Sequence, residues 1–401
     1  MDSPNLKALP DPPLQTWEKQ LCRDARHQPK NCIANAMIYL SNLEGLAGNI
    51  AYNEFSNNIM ILDDVPFLPK SRTGTDWKNG DDASLTGWIQ MNGYNMSIAN
   101  MKAAILPSSK LFTCNPVRDY LDDLKWDGVE RIGAWLTNYL EVEASDYSMA
   151  VGQRWLISAV SRIYDPGCQA DCMLVLEGKQ GIKKSTALRV LGGEWFTDEL
   201  GGLGTKDSSQ QLQGAWIIEM SELDTLTKSE AAEAKAFITR RVDRFRPPYG
   251  AVVESYPRQC IFCGTVNQDT YFKDETGGRR FWPVKCFSIK IKELIRDRDQ
   301  IWAEAVHRYK AGEVVYLDTL ELEEAAAEEV RKREHIDVWY DSVMECVGVM
   351  GEITQTDILN HLEVPKGQRN NGHSIRINRI MIALGYKKRR RKSGVSYVRE
   401  F

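Results

Sequence analysis

The sequence predicts an α/β protein built around a parallel sheet, and two patterns carry that prediction. Between about residues 163 and 335, short apolar runs typical of buried strands alternate with runs typical of helices, which favours a parallel α/β core. The strand-like run at 173–176 is followed by a loop rich in glycine and lysine, and then by a helix-like run at 187–191. A strand, a glycine-rich loop and a helix in this order form the setting of a phosphate-binding P-loop.

The chain before this core divides into two regions. Residues 1–105 open on a Pro-rich lead and predict a small α+β module, with helices at 34–40, 83–90 and 97–105 and a strand at 59–62. Residues 106–162 read as helical, with helices after Pro116, through 132–136 and from about 150 to 164. The aromatic and leucine stripes of this helical region are most simply explained by packing.

The glycine-rich loop predicts a nucleotide site. Its predicted cofactor-binding residues are Gly178, Lys179, Gln180, Gly181, Ile182, Lys183, Lys184, Ser185 and Thr186. Backbone amides of such a loop wrap a polyphosphate, and the helix N-terminus adds partial positive charge. In this register Lys184 reaches the β- and γ-phosphates, and the Ser185 hydroxyl holds Mg²⁺.

The loop departs from the usual pattern at one position. Lys183 stands where the second glycine of the P-loop motif belongs. If that position needs a positive φ, lysine bears a steric cost that glycine does not, although its charge could help to hold phosphate. The alternative to a nucleotide site is a helix N-terminus that is merely rich in glycine and lysine.

A second strand-like run ends in a carboxylate. Residues 215–218 are apolar and are followed by Glu219. Because open α/β sheets bind ligands at the carboxyl ends of their strands, Glu219 is predicted to coordinate Mg²⁺ with Ser185. Glu222, three residues later, is predicted to polarise the attacking water. A plain strand end and a surface acid are the respective alternatives.

A third strand-like run, residues 260–266, ends in Asn267. This amide is predicted to hydrogen-bond the γ-phosphate and the attacking water, although an Asn in a turn after a strand is an ordinary alternative. Further on, two glycines precede Arg279 and Arg280. That arrangement suits an arginine finger that reaches a phosphate, including that of a neighbouring subunit. Solvated surface arginines are the alternative.

Between the second and third runs, arginines are interleaved with aromatic residues. Arginines with aromatics bind single-stranded nucleic acid by charge and stacking, so an exposed basic loop or hairpin that contacts DNA is predicted. The DNA-binding residues predicted here are Arg240, Arg241, Arg244 and Arg246. Ion pairs with Asp243 and Glu254, or a subunit interface, stay open as alternatives.

Residues 336–401 are predicted to form a separate winged-helix-like domain. Helix-like runs at 355–362 and 375–384 precede a basic hairpin around Ser393 and Gly394. Six consecutive basic residues in this hairpin are predicted to contact DNA phosphates: Lys387, Lys388, Arg389, Arg390, Arg391 and Lys392. A solvated basic tail is the alternative.

Composition favours an intracellular protein with an anionic partner. The net charge is −4, yet residues 336–401 carry eleven Lys and Arg against seven Asp and Glu. Because no run is long and apolar enough to span a bilayer and no signal peptide is evident, we expect a cytoplasmic protein without a membrane partner. The nine cysteines do not suggest a disulfide framework. Cys260 and Cys263 are expected to be buried core thiols rather than zinc ligands.

Five blocks together point to a known family. They are residues 176–186, 191–196, 216–223, 242–250 and 278–284. These blocks resemble the virulence-associated protein E family of phages and mobile elements, whose members are similar to superfamily 3 and poxvirus-type primase-helicases of the AAA+ class. The resemblance implies a P-loop AAA+ core that couples ATP hydrolysis to DNA unwinding during replication, in a ring of hexameric size. By motif match it gives Asn267 a sensor role and makes Arg279 or Arg280 a finger acting in trans.

The sequence as a whole therefore predicts a Mg²⁺- and ATP-dependent DNA translocase or helicase. Its partners would be single-stranded or forked DNA, further copies of the chain, and a primase or other replication proteins. One alternative is a non-catalytic replication initiator or regulator that binds ATP as a structural switch, which Lys183 keeps open. The other is a small-molecule P-loop kinase, which would need neither the basic segment nor the basic tail.

Overall fold

A computed structural model describes the chain over residues 16–221, 223, 228–247, 252–267, 280–333, 337–348, 350–391 and 394–399. Glu222, Arg279 and Lys392 lie outside the described residues. The chain divides into two compact units, the first reaching Val330 and the second beginning at Arg331. Among the described helices, none is long and apolar enough to cross a membrane.

The first unit opens with a small α+β module. Its elements are α1 (Ile33–Asn42), β1 (Ile50–Asn53), β2 (Asn58–Ile61), β3 (Thr75–Asp76), α2 (Asp81–Met91), α3 (Ile98–Ser109) and β4 (Thr113–Cys114). The strands form one sheet in the order β3-β2-β1-β4, and the helices pack on it around Tyr39, Leu85 and Met101. Phe55 belongs instead to the core of the following region, so the module is packed against the rest of the unit.

Three helices follow: α4 (Pro116–Asp123), α5 (Trp135–Leu140) and α6 (Asp146–Tyr164). A capping box formed by Ser145 and Ser148 begins α6. The expectation of a helix through residues 132–136 is wrong for its first part, since residues 132–134 form a turn and the helix begins only at Trp135. The backbone N–H of Ile132 donates to the buried carboxylate of Glu304 at 2.9 Å, which ties this turn to a distant part of the chain.

The centre of the first unit is the predicted α/β region. Its elements are β5 (Met173–Glu177), α7 (Lys184–Gly192), β6 (Phe196–Thr197), α8 (Lys206–Gln211), β7 (Ile217–Met220), α9 (Lys228–Ile238), β8 (Val242–Phe245), β9 (Glu254–Pro257), β10 (Ile261–Val266), β11 (Phe281–Lys285), α10 (Ile291–Lys310) and α11 (Leu320–Arg331). Five strands form a sheet in the order β11-β5-β10-β7-β6, and every pairing in it is parallel.

The parallel sheet confirms the predicted fold class in its coarse form, a mixed α/β protein. The middle strands β5, β7 and β10 are buried along their whole length, which explains why they read as continuous apolar runs. Because the strands are parallel, their carboxyl ends meet at one edge of the sheet. The glycine-rich loop, Glu219 and Asn267 are brought together there. A separate antiparallel hairpin pairs β8 with β9.

The second unit consists of α12 (Tyr340–Val347), β12 (Glu352–Thr354), α13 (Gln355–His361), α14 (Asn371–Ala383), β13 (Tyr386–Arg391) and β14 (Gly394–Arg399). Its antiparallel strands follow the order β12-β14-β13. The predicted order of elements, two helices followed by a basic hairpin, is present. The helix expected from residue 375 begins earlier, at Asn371, because the Asn370 side chain accepts a hydrogen bond from the backbone N–H of His373 and caps it.

Candidate functional site

The loop between β5 and α7 depends on its glycines. Gly178 has a φ of 146°, and a Cβ there would lie 2.6 Å from the backbone oxygen of Cys286. Gly181 has a φ of 85°. Both values lie in the region that favours glycine. The loop therefore turns sharply at the carboxyl end of β5 and enters α7 at Lys184.

Lys183 occupies a left-handed conformation, with φ 76° and ψ 32°. Such a conformation costs a non-glycine residue roughly 1 kcal/mol or more. The side chain is exposed, so no buried packing contact offsets that cost. The geometry explains why glycine is usual at this position, and it shows that this chain tolerates strain beside Lys184.

The amine of Lys184 is buried inside the loop; the residue is only 6% exposed. Its Nζ donates to the backbone oxygens of Gly178 at 2.6 Å and Lys179 at 3.1 Å, and to Oδ1 of Asn267 at 3.1 Å. Lys184 is also the first residue of α7, where the helix dipole disfavours a cation and favours an anion. An anionic ligand at this point would be attracted by the Lys184 amine and by the positive end of the α7 dipole.

Glu219 lies beside Ser185, on β7, which β10 separates from β5 in the sheet, and it is 1% exposed. Its Oε1 accepts hydrogen bonds from the Ser185 hydroxyl at 2.7 Å and the Thr265 hydroxyl at 2.6 Å. Its Oε2 is buried and, among the described residues, has no hydrogen-bond partner. A buried carboxylate oxygen without a partner is costly. A cation at Oε2 would remove that cost.

Glu219 and Ser185 fit a Mg²⁺ ion chemically. Mg²⁺ prefers oxygen ligands and is commonly held by one or two carboxylates together with phosphate oxygens. The unpaired Oε2 and the hydroxyl that already touches Oε1 are oxygen donors of this kind. The residues present are therefore suited to hold the ion that the sequence predicts.

Thr265 is a member of this site that the sequence analysis missed. It is a polar residue within the otherwise apolar β10, two residues before Asn267. Since β10 pairs with β7 so that Cys263 lies opposite Glu219, Thr265 is placed to reach the carboxylate. A lone threonine inside a buried strand was the available signal, but its meaning depends on knowing which strand is adjacent.

Three buried thiols belong to the core, and two of them, Cys263 and Cys286, lie close enough to site residues to feel their charge. Burial raises the pKa of Cys263 well above its usual value, and the charge of Glu219 adds to the effect. Burial also raises the pKa of Cys286 to about 12, against the opposing influence of Lys184. Cys260 is likewise buried, and burial raises its pKa. These side chains are neutral thiols at physiological pH, so Cys260 and Cys263 are core residues, as the sequence indicated.

Arg280 lies far from this site within one chain. It immediately precedes β11, whose first residue, Phe281, pairs with Met173 at the start of β5. The nucleotide loop instead follows Glu177, the last residue of β5. Four strand steps of about 3.3 Å separate the two edges by about 13 Å. The structure therefore does not bring Arg280 to Lys184 of the same chain.

The predicted DNA-binding arginines fall around the β8–β9 hairpin. Arg240 lies over the ring of Phe237 at 5.2 Å, and the Nε of Arg241 donates to the backbone oxygen of Gly167 at 2.7 Å. Arg244 and Arg246 are exposed.

The alternative that these arginines pair with Asp243 is wrong. Asp243 is bonded by Arg258, with Nε and Oδ2 2.6 Å apart, and both side chains are 1% exposed.

In the second unit the terminal basic run lies on β13. Lys387, Lys388, Arg389 and Arg390 are exposed, and Arg391 ends the strand. β13 is an edge strand, since β14 lies between it and β12. The run therefore presents a row of cations along one margin of the hairpin.

Comparison with known proteins assigns the chain to a family. A model of the virulence-associated protein E-like domain matches residues 121–336, more than half of the chain. A search of curated protein sequences found no match.

Solved structures with a similar chain course include the NrS-1 C-terminal region in its apo state, at 14% identity over 87% of this chain and 95% of that one, with a TM-score of 0.49. An A-form apo structure of the same region matches at 16% identity over 73% of this chain and 80% of that one, with a TM-score of 0.43. On the strength of the domain match, this chain belongs to the virulence-associated protein E-like domain family.

Proposed function

We propose that this chain is a Mg²⁺-dependent ATPase that translocates along or unwinds DNA, assembled as a ring with a hexamer as the expected size. The observation that carries the proposal is the convergence at one sheet edge of a buried lysine amine, a serine hydroxyl and a half-satisfied buried carboxylate. The lysine and the serine lie on α7 and the carboxylate lies on β7. Asn267, which follows β10, accepts a hydrogen bond from the lysine amine. This combination suits a nucleoside triphosphate, which carries negative charge and oxygen ligands together.

The proposed chemistry is transfer of the γ-phosphoryl group to water. Lys184 exchanges its backbone acceptors for β- and γ-phosphate oxygens, and Asn267 hydrogen-bonds the γ-phosphate and the attacking water. Ser185 and Glu219 hold Mg²⁺, which when bound offsets charge on the phosphates. Glu222 polarises the water in this proposal. Catalysis then comes from positioning and charge stabilisation rather than from covalent chemistry.

The distance between the sheet edges supports an arginine finger in trans. Arg280 is on the amino edge, about 13 Å along the strand from the loop of its own chain. A finger at Arg279 or Arg280 therefore acts on the nucleotide of a neighbouring subunit. This arrangement requires an oligomer, and in a ring each active site would be completed by the next subunit.

DNA is the proposed polymer substrate. The β8–β9 hairpin presents exposed arginines beside stacked Phe245 and Tyr256 rings, whose centroids are 4.6 Å apart. The second unit presents a basic edge strand after two helices. Charge and stacking together suit single-stranded DNA, and the second unit is proposed to act as a winged helix on DNA phosphates. A role in replication in the cytoplasm, beside a primase or other replication proteins, follows from this proposal.

The decisive experiment measures ATP turnover with and without single-stranded DNA, on protein whose oligomeric state is fixed by sedimentation. The proposal expects Mg²⁺-dependent turnover that single-stranded DNA stimulates. Turnover that is indifferent to DNA in protein that binds DNA would contradict it.

A non-catalytic, ATP-binding replication initiator or regulator is the second candidate, and Lys183 favours it. A strained lysine in the loop is compatible with a site that binds nucleotide without positioning it for hydrolysis. This candidate expects ATP binding and DNA binding with no turnover above background. The same experiment separates the two.

A further inference from the structure

A cleft of about 450 Å³ lies between the segment that begins α8 and the strand β8. We call it the basic cleft. Its lining residues are Gly204, Thr205, Lys206, Ser209, Arg240, Val242, Asp243, Arg244, Phe245 and Arg246. None of the nucleotide-loop residues lines it. Lys206 had no role in the sequence analysis, and the cleft places it among three of the arginines.

The basic cleft carries an excess of positive charge. Lys206, Arg240, Arg244 and Arg246 line it, and among the described residues none of the four forms an ion pair. Among the residues that the structure describes, Asp243 is the one carboxylate that lines the cleft, and both of its oxygens accept hydrogen bonds from Arg258, at 2.6 and 2.9 Å. The guanidinium of Arg258 therefore neutralises the charge of Asp243. The cleft can accept an anion without first breaking a salt bridge within the described part of the chain.

One lining residue of the basic cleft, Asp243, is held in place. The Arg258 guanidinium contacts the rings of both Phe237 and Phe262, at 4.5 and 5.5 Å from their centroids, and its hydrogen bonds fix the carboxylate of Asp243. Gly204 has a φ of 76°, and a Cβ there would lie 3.5 Å from Nη2 of Arg240. A Cβ at that distance would make only an ordinary contact, so it is the positive φ that favours glycine here. The Arg258 contacts fix the carboxylate of Asp243, whereas the exposed side chains of Lys206, Arg244 and Arg246 would lose rotamer freedom on binding an anion.

We propose that the basic cleft seats a backbone phosphate of single-stranded DNA, with Lys206 and Arg244 as its outermost contacts. Several cations converge on one region, and the half-buried ring of Tyr256, which stacks on the buried Phe245, stands on the same hairpin. Cations that follow a backbone beside aromatic rings are the usual composition of a single-strand site. An acidic protein surface is the competing occupant. The inference rests on the proposed DNA binding, and it assigns part of that binding to this cleft.

The test measures binding of a fluorescein-labelled oligothymidylate to the full chain by fluorescence anisotropy over a salt series. Each phosphate contact contributes about 0.7 to the slope of log affinity against log salt for a single strand. If the variant and the native chain bind equally at about 1 M salt, a slope smaller by about 0.7 makes the variant bind about 5-fold more weakly at about 0.1 M salt. Lys206→Gln should show both effects, and Lys206→Gln with Arg244→Gln should show about twice the slope change.

Two matched variants control for charge and for folding. Lys206→Arg keeps the cation and should keep the native slope. Lys310→Gln removes an exposed lysine of α10, outside the cleft, and should also leave the slope unchanged. ATP turnover without DNA should be unchanged in Lys310→Gln, because Lys310 belongs neither to the nucleotide site nor to the basic cleft.

The outcomes separate this inference from the proposed function. If Lys206→Gln binds the oligonucleotide with native affinity and slope while turnover remains stimulated by DNA, the cleft is not a phosphate seat but the proposed function stands. If Lys206→Gln instead shifts the sedimentation of the protein to smaller species with no change in salt slope, the cleft contacts another subunit and the inference is overturned. If the native chain neither turns over ATP nor responds to DNA, the proposed function itself has failed.

Discussion

Thr265→Val should weaken Mg²⁺ at the nucleotide site while leaving the fold intact. The substitution replaces a hydroxyl by a methyl group of similar size inside β10. The Thr265 hydroxyl is one of two donors on Oε1 of Glu219, the other being Ser185. If Ser185 turns towards Mg²⁺ on nucleotide binding, Thr265 is the remaining donor among the described residues that orients this carboxylate.

The size of the effect follows from that hydrogen bond. A hydrogen bond to a charged group contributes about 1.5–3 kcal/mol net. Loss of a residue that orients a metal ligand typically costs about 10- to 100-fold in metal affinity or activity. At about 1.4 kcal/mol per factor of ten, the two ranges agree. The expected result is therefore a half-saturating Mg²⁺ concentration raised by about 10-fold or more.

Two measurements check the prediction. The first is ATP turnover as a function of Mg²⁺ at saturating ATP. The second is binding of Mn²⁺ in the presence of a non-hydrolysable ATP analogue, followed by electron paramagnetic resonance, which does not depend on turnover. Thr265→Ser keeps a hydroxyl and should restore native metal affinity. A folded Thr265→Val protein with native Mg²⁺ and Mn²⁺ affinity would show that the contact to Glu219 does not serve metal binding.

Three further predictions follow from the proposed function. Lys184→Ala should abolish ATP turnover, because a contact that strengthens as charge develops on the phosphoryl group is lost, whereas Lys183→Ala should reduce it less; the reverse order would show that the register is wrong. Alanine at residues 387–392 should lower DNA affinity and flatten its salt dependence without changing DNA-independent turnover; an unchanged slope would favour a solvated tail. Alanine at Arg279 or Arg280 should spare nucleotide binding but lower turnover by on the order of 10³ or more, and mixing with Lys184→Ala should restore some activity. No recovery despite subunit exchange would remove the case for a finger in trans.

Local patterns predicted the parts of the site that lie close together in the sequence. The strand, loop and helix around Lys184 are contiguous, so the apolar run, the glycines and the helix-like run indicated them directly. Glu219 and Asn267 were identified because each follows an apolar strand, and parallel strands place such residues at one edge. The strained φ of Lys183 was anticipated because glycine is the usual residue at that position.

The contacts that sequence reasoning missed join distant segments. Thr265 reaches Glu219 only because β10 lies next to β7, and strand order is not readable from apolar runs. Arg258, which follows β9, pairs with Asp243, and this excludes the alternative that the nearby arginines pair with Asp243. Glu304 on α10 accepts a hydrogen bond from the backbone N–H of Ile132, a contact that no local pattern indicates. In each case the polar contact joins residues that are distant in the sequence.

The two edges of the sheet explain why a single copy of this chain would be an incomplete ATPase under the proposed function. The carboxyl edge gathers the lysine amine, the half-satisfied carboxylate and the amide, which under that function would hold and position phosphate. The amino edge carries Arg280, whose Nε is buried and, within the described residues, has no hydrogen-bond partner. Because β5 holds these edges about 13 Å apart, small side-chain movements cannot bring them together. A neighbouring copy that docks its amino edge against this carboxyl edge brings the arginine to the phosphate, and repetition of that heterologous contact generates a ring when the rotation closes.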